Sequence, residues 1–471
     1  MAASQTRRVG WSVLAAAALG IGVAPCSLAQ EIAPTGEYKE GLALGSWMLY
    51  PKAFVGAVYD SNVNQITQNS SGWAARAVPN ISGVYDGGIH KTTVSGVMDA
   101  RFFDATTISA TTGFTHVYEA MRDLLFTFQG NYTRQTDLFT SALNFNNGAI
   151  GPNTTGSPEA NIPIILNPFG TTPGVNPAAY NQFTGSTSVT KTFDNATFLT
   201  LRGTVFHITY DNKTLPPNPF ATSSDATSYW LTARAGYNIL PSVYAFAEGT
   251  GIFQRFHNTI FDTNGYRVVG GFGTRDPQSL FHGELYGGYQ AQTQAHHDIS
   301  ELDAAFVPAI PINLIGAGIP TNSNSSVFGG RLYYYPTPYL TFVGAVDQVL
   351  GISTQLSSLI PAGTPSLATN AILQANYFIS KSWTFGVRAG YTQSRFFGIG
   401  RTDNGWMAGT SFNYEIWRNL NLTLDYQCST VTSNILNSTA ASNIQNSTAT
   451  SNIQNSNFSR NVFTAGLTYK Y

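Results

Sequence analysis

The sequence predicts an all-β protein: a transmembrane, antiparallel up-and-down β-barrel of about 18 strands. Three observations predict it. Charged residues make up only 10% of the 471 residues, aromatic residues make up 13%, and apolar and polar residues alternate along much of the chain. Soluble domains average about 25% charged residues. The mean hydropathy of −0.06 is too low for a bundle of membrane helices. A strand with lipid on one side and water on the other needs a period of two.

The C-terminal segment carries the clearest signal. Apolar residues alternate with polar or small ones from Phe463 to the terminal Tyr471. Gly466, Tyr469 and Tyr471 resemble the C-terminal assembly signal of outer-membrane barrels, in which a glycine precedes two aromatic residues. The resemblance implies that the barrel-assembly machinery reads this strand. An edge strand of a soluble protein can carry the same pattern by chance, so the rest of the chain must decide.

The N-terminus has the features of a secretory signal peptide. Arg7 and Arg8 supply the positive region, an apolar stretch follows, and Ser27-Leu28-Ala29 has the small-x-small pattern of a cleavage site. A retained membrane anchor is the alternative. Cleavage near Ala29 predicts export to the outer membrane of a Gram-negative bacterium.

Three regions follow from these features: a signal peptide at 1–29, a periplasmic lead at 30–44 and the barrel at 45–471. Without the signal peptide, Cys428 is the one cysteine left, and a single thiol cannot form an internal disulfide. It falls on the apolar face of its predicted strand, so we interpret it as a small hydrophobic residue.

About eighteen segments show the alternation expected of membrane strands, and an even number suits a bacterial single-chain barrel. The predicted strands are Trp47–Asp60, Trp73–Tyr85, Ile89–Phe103, Ile108–Ala120, Leu124–Gln135, Gly185–Phe193, Ala196–Tyr210, Ser228–Asn238, Val243–Phe256, Gly265–Thr274, Ser279–Thr293, Ser325–Tyr335, Tyr339–Leu350, Asn370–Ile379, Trp383–Phe396, Asn404–Glu415, Leu420–Thr430 and Ser459–Tyr471.

Short and long connections alternate between these strands. Asp86-Gly87-Gly88, for example, favours a tight hairpin, whereas 136–184 and 431–458 are long. Outer-membrane barrels have short periplasmic turns and longer external loops. The alternation therefore predicts that both termini lie in the periplasm.

Two long loops leave their roles open. Loop 136–184 contains an apolar patch at Ile162–Leu166, and it could either fold into the lumen or form a surface flap. Residues 433–458 hold a nine-residue tandem repeat that begins at Ser433. We interpret this repeat as a low-complexity external loop rather than a functional β-helix.

The sequence contains none of the common catalytic or phosphate-binding motifs. It therefore predicts neither an enzyme nor a cofactor. His296-His297-Asp298 could bind a metal in principle, but no second ligand cluster accompanies it. The net charge of −1 gives no reason to expect nucleic-acid binding.

Several charged residues fall on the polar face of their predicted strands and are expected to line the lumen. Such charges are most often structural pairs, and arginines among them would also bias a polar pore towards anions or sugars. They are Asp99, Arg101, Arg202, Arg234, Glu248, Arg267, Glu284, Arg331, Asp347, Arg388 and Asp425.

The first predicted strand carries a recognisable pattern: a Pro, then a Gly, then Tyr-Asp-x-Asn-Val. Its residues are Pro51, Gly56, Tyr59, Asp60, Asn62 and Val63. The pattern resembles the outer-membrane β-barrel porins of the "putative beta-barrel porin 2" type, and the likeness runs from about Gly45 to the C-terminus. It implies an outer-membrane barrel and a porin. Some members of that type are associated with extracellular polysaccharide production.

The main functional expectation is a passive outer-membrane channel for small polar solutes. One alternative is the outer-membrane component of an extracellular polysaccharide export system, and another is a structural or adhesive barrel without transport. The expected partners are outer-membrane lipid and lipopolysaccharide, the barrel-assembly machinery and small polar solutes. An oligomer is compatible with the sequence.

Overall fold

The computed structural model describes residues 41–63, 71–103, 106–136, 179–193, 196–211, 225–257, 259–274, 280–294, 322–352, 364–398, 400–434 and 457–471. Several predicted features lie outside the described residues: the signal peptide, the lead up to residue 40, most of loop 136–184, most of the nine-residue repeat and His296-His297-Asp298. Among the described residues, no helix is long and apolar enough to span a membrane.

The described chain is almost entirely β-strand, with one 3₁₀ turn at Thr259–Phe261. The strands are β1 (Leu42–Leu44), β2 (Trp47–Asp60), β3 (Gly72–Asp86), β4 (His90–Phe102), β5 (Thr106–Met121), β6 (Leu124–Gln135), β7 (Tyr180–Phe193), β8 (Thr197–Tyr210), β9 (Ala226–Leu240), β10 (Val243–Phe256), β11 (Thr263–Thr274), β12 (Phe281–Gln294), β13 (Asn322–Thr337), β14 (Leu340–Ile352), β15 (Pro365–Phe378), β16 (Trp383–Phe396), β17 (Thr402–Trp417), β18 (Leu420–Ser433) and β19 (Phe458–Lys470).

Strands β2 to β19 close a ring of 18 antiparallel strands. Each strand pairs with its successor, and β19 pairs with β2 from Val462 opposite Asp60 to Lys470 opposite Lys52. Closure satisfies the backbone groups that an open sheet edge would leave unpaired in lipid. The predicted fold class and strand number are confirmed.

A short hairpin precedes the ring. The sequence interpretation placed 30–44 in a polar lead, but Leu42–Leu44 pairs with Trp47–Leu49 as β1. Gly45 turns the chain with a φ of 61°, a conformation that glycine adopts without steric cost. The hairpin is too short for its alternation to be read from sequence.

The two faces of the ring differ in polarity. In β19, Phe463, Leu467 and Tyr469 are 38–50% exposed, whereas Thr464 and Thr468 are 3% and 6% exposed. The apolar side chains therefore point outwards and the polar ones inwards, as a strand between lipid and lumen requires. We call these the outer and inner faces.

The two ends of the ring also differ. Short turns such as 87–89, 122–123 and 241–242 join strands at one end, and the long connections lie at the other. At the first of these turns, the Asp86 carboxylate accepts a hydrogen bond from the Gly88 amide at 3.0 Å. The ring's first residue, Trp47, and its last, Lys470, both lie at the short-turn end. We call the opposite end the long-loop end.

Candidate solute passage

Cross-strand registry places all eleven sequence-predicted charged residues on the inner face. Asp425, for instance, lies opposite the buried Thr464, and Arg202 lies opposite Thr232. The structure brings most of them together in three groups, on β4, on β9 to β14 and on β16 to β18. Arg202 stands on β8, beside the second group.

The second group contains a buried charge cluster, which we define as Arg234, Glu248, Arg267 and Glu284. The Arg234 guanidinium donates to Glu248 at 2.8 Å and to Glu284 at 2.9 Å. Its Cζ lies 4.2 Å from the centroid of the Phe246 ring. The Arg267 side chain is 2% exposed and lies 3.9 Å from Glu248. Paired charges on neighbouring strands offset the cost of removing each from water.

Two tyrosines extend this cluster. The Tyr244 hydroxyl donates to Glu284 at 2.8 Å, and the Tyr286 hydroxyl donates to Asp347 at 2.7 Å. Arg331 lies opposite Glu284 in the β12–β13 register. An apolar cluster adjoins these residues on the inner wall, and its members are Phe198, Tyr244, Phe246, Val269, Tyr286 and Val327. The inner wall from β8 to β13 is therefore a packed core rather than a wet surface.

The first group, on the opposite side of the ring, is partly exposed to solvent. Arg76 donates to both Asp99 oxygens at 2.8 and 2.9 Å, and Arg101 donates to the same carboxylate at 3.1 Å. The side chains of Arg76, Asp99 and Arg101 are 24%, 18% and 13% exposed. Two guanidinium groups therefore share one carboxylate at this site.

The third group crosses a strand. Arg388 on β16 donates to both Asp425 oxygens on β18 at 2.8 Å. Gly409 of β17 lies between them, and a Cβ there would approach the Arg388 Nε to 3.0 Å. The missing side chain at Gly409 therefore lets the arginine reach the second strand. Asp425 is 19% exposed and remains in contact with solvent.

Sequence reasoning missed several arginines that the structure places in ion pairs, among them Arg76, Arg401 and Arg460. Arg76 has inner-face parity, because it lies opposite Gly56, which in turn faces Gly466. Arg401 pairs with Asp403, and Arg460 pairs with Asp60. The parity of Arg76 within its predicted strand was a usable signal. The other two pairs sit at strand ends, where no periodicity identifies a partner.

Within the described part of the chain, no group of three His, Cys, Asp or Glu residues could hold a metal ion. Cys428 is a half-buried free thiol, and its strand position places it on the outer face with Tyr426. The arrangement of the inner face is therefore one of paired charges, hydroxyls and amides. Such groups can hydrate and orient a polar solute.

Comparison with known proteins gives a family. The model of the family described as "Putative beta-barrel porin 2" matches residues 167–309 and 327–447, together more than half of the chain. No curated protein matches this chain. Among solved structures, it is similar to the outer membrane protein OpdK from Pseudomonas aeruginosa, with 8% identity, 90% of this chain and 99% of that chain covered, and a TM-score of 0.40. It is also similar to the siderophore receptor PirA from Pseudomonas aeruginosa, with 7% identity, 90% and 80% coverage, and a TM-score of 0.35.

Proposed function

Since the chain belongs to the Putative beta-barrel porin 2 family, we propose that its barrel is a passive outer-membrane channel for small polar solutes. One observation supports this most directly: an 18-strand ring carries solvent-accessible ion pairs on its inner face. Rings of this size enclose an aqueous lumen, whereas rings of about eight strands are filled by side chains.

The solvent-facing charges favour anionic or neutral polar solutes. Arg76 and Arg101 both pair with Asp99, so two guanidinium groups lie on the inner face at this site. Arg388 pairs with Asp425. Guanidinium groups that line an aqueous passage lower the barrier to anions and raise it for cations.

The same proposal fixes an orientation. The short-turn end and both chain termini face the periplasm, and the long loops face outwards among lipopolysaccharide. Residues 1–29 direct export, and cleavage occurs near Ala29. The barrel-assembly machinery recognises the strand that carries Gly466, Tyr469 and Tyr471. The alternation of short and long connections supports this orientation.

Purified, folded protein in planar bilayers is expected to give discrete conductance steps, with a reversal potential that favours chloride over potassium in a salt gradient. Heat-modifiable migration on SDS gels establishes that the sample is folded. A folded sample that never conducts overturns the proposal. A silent barrel whose deletion abolishes surface polysaccharide would instead support the export role.

A further inference from the structure

The wall of the barrel parts at one place, between β13 and β14. Within the described residues, their ladder runs from Thr337 opposite Leu340 to Gly329 opposite Asp347, and it ends there. Both strands continue towards the long-loop end. The free stretch of β13 pairs with β12, and the free stretch of β14 pairs with β15. The end of β14 therefore parts from the wall strand β13, while β15 stays paired with β16 as far as Ser366 opposite Phe396.

The departing strand meets β12 instead of β13. The Gln290 carboxamide of β12 donates to the Leu350 carbonyl at 2.7 Å and accepts from the Leu350 amide at 3.3 Å. Gln290 belongs to the inner face and is 0% exposed. The Gln290 side chain thus bonds the backbone of β14 where the neighbouring strand β13 no longer does. This edge of β14 lies against the inner face of β12.

Burial of the departing segment confirms its direction. In a wall strand, alternate side chains are exposed to lipid. Val349, Leu350 and Ile352 are instead 2%, 1% and 1% exposed, and Thr364 and Ser366 on the returning strand are 0% and 1% exposed. Both faces of the β14–β15 end are covered. The end of β14 therefore lies inside the ring, and β15 joins it to β16.

An apolar contact joins this segment to the far wall. Val349 and Ala368 form one cluster with Trp230 and Ile252, and Phe206 packs against it. These residues come from β14 and β15 on one side and β8 to β10 on the other. Strands β10 and β14 are four steps apart, which is on the order of 19 Å along a wall with 4.8 Å spacing. The contact is therefore made across the lumen.

We propose that this inward-folded hairpin end, Val349–Ile352 with residues 364–368, is the size-selecting constriction of the channel. It fills the lumen beside β8 to β13, above the buried charge cluster. Solutes then pass along the other side, past the Arg388–Asp425 pair and the Arg76–Asp99–Arg101 group. The inference rests on the proposed channel function.

The functional test is Gln290→Ala, which removes both hydrogen bonds to Leu350. The hairpin end then loses its anchor, and the single-channel conductance is expected to rise about two-fold, since the narrowest cross-section limits conduction. Liposome swelling should admit larger sugars. Gln129→Ala is the matched control, because Gln129 accepts from Ser186 of the next strand at 3.3 Å and lies away from the hairpin. Unchanged conductance in Gln290→Ala overturns the proposal.

A second test measures the position of the hairpin without transport. In a Cys428→Ser background, a short thiol cross-linker should link the two cysteines of the double variant Ile252→Cys with Val349→Cys. The conductance of the linked barrel should equal that of the wild type. The control is the double variant Thr127→Cys with Val349→Cys, whose two cysteines should not be linked. A folded barrel without the first cross-link overturns the inward docking, whatever it conducts. A cross-linked barrel whose wild type never conducts overturns the channel function instead, and the hairpin is then a plug.

Discussion

Arg460 and Asp60, 400 positions apart in the chain, form a buried ion pair across the seam that closes the barrel. The Arg460 Nε lies 3.0 and 2.9 Å from the two carboxylate oxygens, and its Nη2 lies 2.5 Å from one of them. The Asn62 amide donates to the same carboxylate at 2.9 Å. The Tyr-Asp-x-Asn-Val pattern of the first long strand therefore has a structural role. It binds the last strand.

The rest of that pattern lies along the same seam. Gly56 lies directly opposite Gly466. The Tyr471 amide donates to the Pro51 carbonyl at 3.2 Å. The pattern that carries the family resemblance and the C-terminal assembly strand are thus two sides of one interface.

Asp60→Ala is expected to destabilise the barrel by about 3–5 kcal/mol, because it removes the carboxylate that pairs with the buried Arg460 guanidinium. Urea titration of the folded band on unheated gels measures the loss. Lys91→Ala is the matched control. Lys91 pairs with Asp86 at 3.7 Å, and their side chains are 42% and 59% exposed, so about 0–1 kcal/mol is expected. The double variant Asp60→Ala with Arg460→Ala should recover part of the lost stability. A loss in Asp60→Ala no larger than that in the surface control would contradict the prediction.

Gly466→Ala is expected to lower the folded fraction, because a Cβ at this position would lie 2.4 Å from the Val55 carbonyl oxygen and 2.6 Å from the Gly56 Cα. Backbone atoms cannot move aside without parting the seam, and overpacking of this kind costs about 1–3 kcal/mol. Gly249→Ala is the control, because a Cβ there meets nothing within 4 Å. Heat-modifiable migration after refolding reports both. Equal folded fractions of Gly466→Ala and Gly249→Ala would show that the close approach at the seam does not limit folding.

Arg101→Gln is expected to weaken the preference for anions and so to move the reversal potential towards zero, because it removes one of the two guanidinium groups beside Asp99 while Arg76 retains its pair. Planar-bilayer recording in a chloride gradient measures the shift. Lys191→Gln is the control. Lys191 pairs with Asp123 at the short-turn end, and its hydrogen bond holds the pKa of Asp123 below the usual value. Lys191 lies on the outer face, so the ion selectivity of Lys191→Gln should equal that of the wild type. A shift in reversal potential as large as that of Arg101→Gln would contradict a solute path past the Arg76–Asp99–Arg101 group.

Deletion of Tyr471 is expected to reduce the amount of assembled barrel in cells while leaving the conductance of the refolded protein unchanged. Its ring is 53% exposed on the outer face, so it does not reach the lumen. Trp417→Ala controls for the loss of an exposed aromatic residue at the same end, since Trp417 is 71% exposed. Wild-type assembly without Tyr471, or an altered conductance, would contradict the assignment of this residue to assembly.

The predicted and observed strand bounds agree closely for some strands and differ for others. Strands β2, β6, β10 and β16 begin and end at the residues that alternation predicted. Strand β15 did not: it was predicted at Asn370–Ile379 and begins at Pro365. Its first residues belong to the inward-folded hairpin, where both faces are buried. A period of two cannot appear where lipid touches neither face.

The sequence by itself determined the fold class, the near-complete set of strands, and the face on which each candidate charged residue lies. It could do so because lipid and water impose a local alternation on every wall strand. The tertiary structure decided which charges meet, that Asp60 binds Arg460, and that the end of β14 parts from β13 and, together with β15, contacts β8 to β10. These relationships join residues many strands or hundreds of positions apart, and a local period specifies a side chain's face but never its partner.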